Sequence, residues 1–478
     1  MGRFVRPRVR VRRDLTVTPG LAALLAYLGL QLGIGAWVSR RIRTEADYLV
    51  AGRRLGYTLA TFSIFATWFG SETVVGAAGN AFRDGVSLAS AEPFGYGLCL
   101  VLMGLVFAGP LWRRRLTTLA DLFRQRYSAG VERLAALILI PGSILWAAAQ
   151  IRSFGHVLAT VTDGIPLDLA IGAAAAFTLL YTVFGGLLAD AITDVVQGTM
   201  LAVGLLVVLA AVLLQLQATG GLPEAIANAG PIAVLPATGV SAWAMAEEWA
   251  IPVCGSVVAT ELVSRIIATR SPNVARRSAV GAGALYVVVG IVPLAIGLLG
   301  QTVVPGLAEP EQVIPTVAET LLPVAFFAIF AGALVSAILS TVDSTLLVSS
   351  GLLSHNLLVP MLRISDERIK VRLARAGVMA FGAIAYLQAV RAEGVFELVE
   401  EASAFGSAGT LVTVCFGLFT TFGGAMAGGL TLVAGMVTYL AASWGSFAYP
   451  FLLSLGISLA TYVVTAFAER AVHRFRHA

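Results

Sequence analysis

A chain of 478 residues in which 58% of positions are apolar and only 12% charged cannot present the charged shell of a soluble globular protein. Its three cysteines all fall in apolar segments and its four histidines are scattered, which excludes a disulfide framework and a clustered thiolate or histidine metal centre. The net charge of +5 rests on 31 Arg and the single Lys370, spread over short polar segments in a way that suits anionic membrane lipid and excludes a nucleic-acid-binding face; the arginine bias points to a GC-rich bacterial genome.

Residues 1–16 form a basic tail with Arg3, Arg6, Arg8, Arg10, Arg12 and Arg13. Apolar windows long enough to cross about 30 Å of hydrocarbon follow at 17–38, 56–80, 90–110, 133–160, 165–186, 190–215, 246–268, 277–301, 320–355, 374–392, 401–423, 425–443 and 448–469. The expected fold is therefore all-α and polytopic, with about 13 transmembrane helices. The first window lacks a small-residue cleavage site and reads as a retained helix rather than a cleaved signal.

Alternating the loops gathers the clusters at Arg40–Arg54, Arg113–Arg133, Arg265–Arg277, Arg363–Arg375 and Arg470–Arg476 on one side, against Arg83 and Arg391 on the other. The positive-inside rule makes the first side cytoplasmic. The C-terminus is then cytoplasmic and the N-terminus outside in a bacterial cytoplasmic (inner) membrane, an orientation that the basic tail opposes and four later loops favour.

In the second window, Phe65–Gly76, glycines at 70 and 76 surround Glu72. Glycine tolerates the backbone angles at which a helix opens, and opened backbone inside a bilayer must face protein or a water-filled cavity. Glu72 is either a satisfied interhelical hydrogen-bonding group or a contact to a solute, ion or gate.

After Gly185-Gly186, Asp190 and Asp194 share a helical face, near Gln197. Pairing with a loop arginine is the favoured role for Asp190. Glu247-Glu248-Trp249-Ala250-Ile251-Pro252-Val253-Cys254-Gly255 predicts a kink in the seventh window without requiring that it unwind.

Ser336, Ser340 and Ser344 recur every fourth residue in the ninth window and form one stripe, flanked by Thr341 and Asp343. Such hydroxyls either glue helices together and bond their own i−4 carbonyls or, with carbonyls from an opened helix, make an oxygen cage for a hard cation such as sodium.

These segments, in this order, resemble the sodium/solute symporters, the group that contains the sodium/glucose, sodium/proline and sodium/sialic acid carriers. The resemblance rests on Asp47-Tyr48-Leu49-Val50-Ala51-Gly52-Arg53, on Phe65–Gly76, on Gly185-Gly186 followed by Thr193-Asp194-Val195-Val196-Gln197, and on Ser340-Thr341-Val342-Asp343-Ser344. It implies two inverted five-helix repeats with discontinuous first helices, preceded by one helix and followed by two. The corresponding boundaries are a tail at 1–16, a preceding helix and loop at 17–55, repeats at 56–215 and 216–424, and two additional helices with a short tail at 425–478.

Carried over by position, the resemblance implies a main sodium site from the carbonyls of Ala66, Phe69 and Ala337 and the hydroxyls of Ser340 and Thr341. A second sodium or proton-linked site falls on Asp194, Ser340, Asp343 and Ser344, where Asp343 replaces a hydroxyl. Thr73 stands where the sugar carrier has a glutamine. Glu72, Thr73, Trp146, Gln150, Glu248 and Trp249 are the candidates for the solute pocket or gate.

The expected function is sodium-coupled import of a small organic solute by alternating access, with Na+ as coupling ion, no organic cofactor, and one chain sufficient for transport. A proton-coupled carrier of the same architecture and a transporter-like sensor are the alternatives. An enzyme is not expected, since no Gly-x-Ser-x-Gly elbow or zinc-binding histidine pair occurs.

Overall fold

The computed structural model describes residues 19–86, 91–161, 165–229, 241–307, 309–392 and 395–477, and leaves the side chains of 19–28, 160–161, 228–229, 311, 328, 336–337, 395–397, 400 and 473–477 undescribed. The basic tail thus lies outside the described residues. Helices dominate, and the one β-type contact among the described residues is a bridge between Leu55 and Thr269.

The main helices are α1 (Pro19–Ser39), α2 (Tyr57–Trp68), α3 (Ala78–Asp84), α4 (Phe94–Leu102), α5 (Ala129–Val161), α6 (Leu167–Thr219), α7 (Ala242–Ala250) and α8 (Thr260–Ala268). They continue as α9 (Pro272–Val303), α10 (Val324–Gly351), α11 (Glu367–Arg391), α12 (Val395–Ala404), α13 (Ser407–Phe419), α14 (Ala425–Trp444) and α15 (Pro450–His477). Among the described residues, ten helical runs are long and apolar enough to cross a membrane.

Local chemistry accounts for the ends. Ser241 and Ser271 cap α7 and α9 by accepting from Ala244 N at 3.0 Å and Val274 N at 3.2 Å, which satisfies amides that the first turn leaves free. Large apolar side chains such as Leu137, Leu214, Val288 and Val464 stay more than half exposed, as lipid-facing surfaces require. The polar residues turn inward instead.

Three interruptions position the site. Residues 165–215, read as two windows, form one helical run that folds back at Gly186, where φ is +59°. Only glycine fits there, because a Cβ would lie 2.8 Å from the Tyr48 ring. This gives Asp47-Tyr48 a structural meaning. Asp47 closes a capping box with Thr44, and Tyr48, fully buried, donates to the Thr182 carbonyl at 3.2 Å beside the fold-back.

The second window breaks after Trp68, where Phe69 leaves the helical region (φ −90°, ψ 66°), and resumes as a widened turn over Glu72–Ala77. The seventh window does more than kink. Proline at 252 removes a donor from the ladder, the turn widens over Ile251–Gly255, and residues 256–259 leave the helix until Thr260. The eleventh window is also divided, between α12 and α13, with Gly406 at φ +68°.

α10 runs through the centre, packed on α1, α5, α6 and α11, while α2 lies against α6, α9 and α10. The two broken helices meet at Leu55, whose N–H donates to Ala268 O at 3.1 Å and whose carbonyl accepts from Arg270 N at 3.0 Å. α14 and α15 pack mainly on each other.

Candidate ion and solute site

The end of α2 touches the oxygen stripe of α10. Thr341 Oγ1 donates to the Thr67 carbonyl at 3.0 Å, and the Thr67 and Ser344 hydroxyls lie 3.5 Å apart. Ala66, Phe69, Ser340 and Thr341 are all buried. The structure therefore brings the broken end of α2 and the hydroxyls of α10 into one place. Ala337 sits on the same helix, although its side chain is not described.

Beside this contact α6 and α10 run antiparallel, and their spacings match. Asp190 faces Ser344 and Asp194 faces Ser340, each serine donating to the opposite carboxylate, the first at 3.1 Å. Thr182, just before the fold-back, donates to Asp343. Arg265 of α8, fully buried, pairs with Asp190 at 2.6 Å and donates to Ser63 Oγ at 3.1 Å and to the Ser344 hydroxyl.

Charge is not balanced by these contacts. Three buried carboxylates face one guanidinium. Asp194 Oδ2, Asp343 Oδ2, Asp190 Oδ1 and both amide atoms of Gln197 are buried without a hydrogen-bond partner among the described residues. Buried polar atoms in such numbers call for an ion, a proton or water, and the carboxylate and hydroxyl oxygens around Asp194 and Asp343 suit a hard cation.

A second polar cluster surrounds the break in α2. Glu72 accepts from Gln150 Nε2 at 3.1 Å, and Gln150 Oε1 accepts from Ser71 Oγ at 3.1 Å. Gly70 makes room for this, since a Cβ there would meet Glu72 Oε2 at 2.7 Å. Thr73 and Tyr286 both donate to Glu92 Oε1, at 2.5 and 2.6 Å. Trp146 meets Trp68 edge-on at 5.4 Å between ring centroids, and Tyr96 reaches the Ser403 hydroxyl at 3.3 Å.

The pocket candidates thus divide. Glu72, Thr73, Trp146 and Gln150 come together around the first break. Glu248 is exposed on α7 and Trp249 half-buried beside it. Their neighbour Glu247 caps α15, accepting from Phe451 N at 2.7 Å and Leu452 N at 2.8 Å.

Spacing in the sequence does not mark several residues of these clusters. Arg265 has the sequence neighbours of a loop base, yet it is buried against Asp190. The pairing expected for Asp190 is real, but its partner comes from within the broken seventh window. Glu92 and Tyr286 carried no recognisable spacing. Glu261 lay in an apolar run, and that in itself was the available signal, because a carboxylate inside a span needs a partner or a task.

Comparison with known proteins agrees with this architecture. The model of the sodium:solute symporter family matches residues 48–431. The human high affinity choline transporter 1 is 28% identical over 417 residues, 79% of this chain and 69% of that protein. The sodium/pantothenate symporter of Escherichia coli is 26% identical over 390 residues, 77% of this chain and 78% of that protein. Among solved structures, a substrate-bound, outward-open Na+-coupled sialic acid symporter superposes with a TM-score of 0.83 at 18% identity, covering 95% of this chain and 98% of that one. A nucleobase-cation-symport-1 family transporter gives 0.62 at 17% identity, covering 90% and 96%. With the family match spanning most of its length, this chain belongs to the sodium:solute symporter family.

Proposed function

We propose that the protein is a sodium-coupled secondary active symporter that imports a small organic solute by alternating access. The observation that carries this reading is the 3.0 Å contact between the Thr341 hydroxyl and the Thr67 carbonyl, which places the broken end of α2 against the hydroxyl stripe of α10. In this reading the carbonyls of Ala66, Phe69 and Ala337 and the hydroxyls of Ser340 and Thr341 hold the main sodium. Asp194, Asp343, Ser340 and Ser344 hold a second sodium or a proton, a role supported by the partnerless carboxylate oxygens there.

Coupling follows from where the ion sits. α2 opens the first five-helix repeat and α10 belongs to the second, so sodium bound between them favours the outward-open arrangement, and inward opening separates its ligands. The chain crosses the membrane thirteen times, with the N-terminus outside and the C-terminus cytoplasmic, in agreement with the loop arginines.

Each sodium that traverses the full field contributes about 2.3 kcal/mol per 100 mV. Against roughly 1.4 kcal/mol per tenfold concentration ratio, this drives a neutral solute uphill by more than an order of magnitude. The solute sits between the two breaks, near Glu72, Thr73, Trp146 and Gln150. The two named relatives carry choline, a quaternary ammonium, and pantothenate, a carboxylate, so the charge lining the pocket decides between solute classes.

The test is uptake into liposomes holding the purified protein, driven by an inward sodium gradient. Ser340→Ala and Thr341→Ala are expected to raise the sodium concentration for half-maximal uptake about tenfold, or ~1.4 kcal/mol of lost ion binding. Unchanged sodium dependence in both variants overturns the assignment.

A further inference from the structure

A cavity of about 50 Å3 opens where the second break, α5 and the α12–α13 junction converge. That is room for more than one water molecule, each of which needs at least about 10–15 Å3. Its wall includes Ser143 and Trp146 of α5, Gly255 and Ser256 of the break, Glu261 of α8, and Ser403 of α12. On α5, Ser143, Trp146 and Gln150 succeed one another at helical spacing, so one face of this helix leads from the cavity to the Glu72 cluster.

Glu261 is not among the residues assigned above to either sodium site. Its carboxylate is buried, with 2% of the residue exposed. It accepts from Ser143 Oγ at 2.5 Å and Thr260 Oγ1 at 3.1 Å. Both donors are neutral, and each carboxylate oxygen keeps capacity for another partner. Arg265, one turn along α8, reaches only the Glu261 backbone carbonyl, at 3.2 Å, because its outer nitrogens are committed to Ser264, Asp190 and Ser344. No ion pair to Glu261 exists among the described residues. A buried carboxylate without a counter-charge is costly unless it binds a proton or a cation.

The lining of this cavity shares no residue with the proposed sodium sites. A cation held only by oxygens suits the α2–α10 contact. Here an indole lines the same cavity as a carboxylate and hydroxyls, and an aromatic ring together with an acid favours a substituted ammonium, through cation–π attraction and contact with its C–H surface.

We propose that Glu261 is the counter-charge for a solute carrying a substituted ammonium group, which enters this cavity beside Trp146. The inference rests on the symporter reading and names its solute class.

Binding is measured calorimetrically on the full-length protein in detergent, in sodium buffer. The probes are choline, tetramethylammonium and ethanolamine, with uncharged tert-butanol and anionic pantothenate as contrasts. At least one cation is expected to bind, and neither contrast compound. Glu261→Gln is expected to weaken the bound cation at least tenfold and Glu261→Asp to retain part of the affinity. Sodium-dependent thermal stabilisation, compared with potassium, checks folding and the ion site independently, and is expected to persist in both variants.

Equal cation affinity in Glu261→Gln, preference for an uncharged or anionic probe, or failure of all three cations overturns the proposal while the sodium reading stands. Loss of sodium stabilisation in Glu261→Gln makes this a metal site and also overturns it. Absence of sodium stabilisation in the unaltered protein instead removes the symporter reading.

Discussion

Asp190 and Asp194 lie one turn apart on the same face of α6, each bonded to a serine of α10, yet they sit in different electrostatic surroundings. Asp190 meets the guanidinium of Arg265 at 2.6 Å with both side chains almost fully buried. Asp194 and nearby Asp343 have only hydroxyl donors, while all three acids keep one oxygen without a hydrogen-bond partner among the described residues. The first end of the cluster is closed in charge by its ion pair. The second is chemically open, and Glu72, Glu92 and Glu261, which also rely on neutral donors, resemble it. In this cluster, one buried acid is answered by an arginine and two by hydroxyls alone, and on the reading proposed above the first is scaffold and the other two hold the ion or proton.

The largest expected effect breaks the closed end. Arg265→Met leaves Asp190 buried without its counter-charge, a loss of about 3–5 kcal/mol for a severed buried pair. It is read as a lowered thermal unfolding midpoint and poor folded yield. Asp190→Asn in the same background is expected to restore much of the loss, because it removes the stranded charge. If Arg265→Met unfolds like the unaltered protein, the pair is not the scaffold described here.

Smaller effects belong to the open end. Asp194→Asn and Asp343→Asn are expected to fold and to bind the main sodium, while converting a steeper-than-hyperbolic sodium dependence of uptake into a hyperbolic one. A dependence that is hyperbolic from the start, with pH dependence abolished in Asp343→Asn, assigns a proton instead. Retention of both dependences in both variants removes the second site.

The smallest effect lies outside the spans, on the short helix Ala120–Arg126. Burial pushes the Asp121 carboxyl upward, but the His355 ring at 3.3 Å and the amides of Thr117 at 2.7 Å and Thr118 at 3.2 Å outweigh it and hold the group below the usual carboxylate range. A carboxyl depressed on folding contributes stability above its unfolded pKa, and that contribution is lost as pH falls through the folded value. Asp121→Asn is therefore expected to lower stability at neutral pH and to flatten the acid-side loss, measured by unfolding midpoints across pH. An unchanged acid limb counts against the contact.

The all-α membrane class, the helical windows and the hydroxyl stripe were legible because hydrophobicity and helical period are local properties of the chain. Gly70 and Pro252 marked the breaks for the same reason. The depth of the second break was not legible, since a proline requires only a bend and the surroundings determine whether the chain unwinds. Arg265 illustrates the limit. Its sequence neighbours matched the other loop arginines, and only the arrival of α6 and α10 made it a buried partner.

What the chain by itself determined was the solvent it folds in, the positions of its helices and the residue types available at depth, because these follow from runs and spacings. The tertiary structure decided which acids acquired an opposite charge and which kept only hydroxyls. It also decided that Glu261, Trp146 and Ser403, far apart in sequence, share one cavity. Charge balance in a bilayer depends on neighbours brought from distant helices, and no local pattern specifies them.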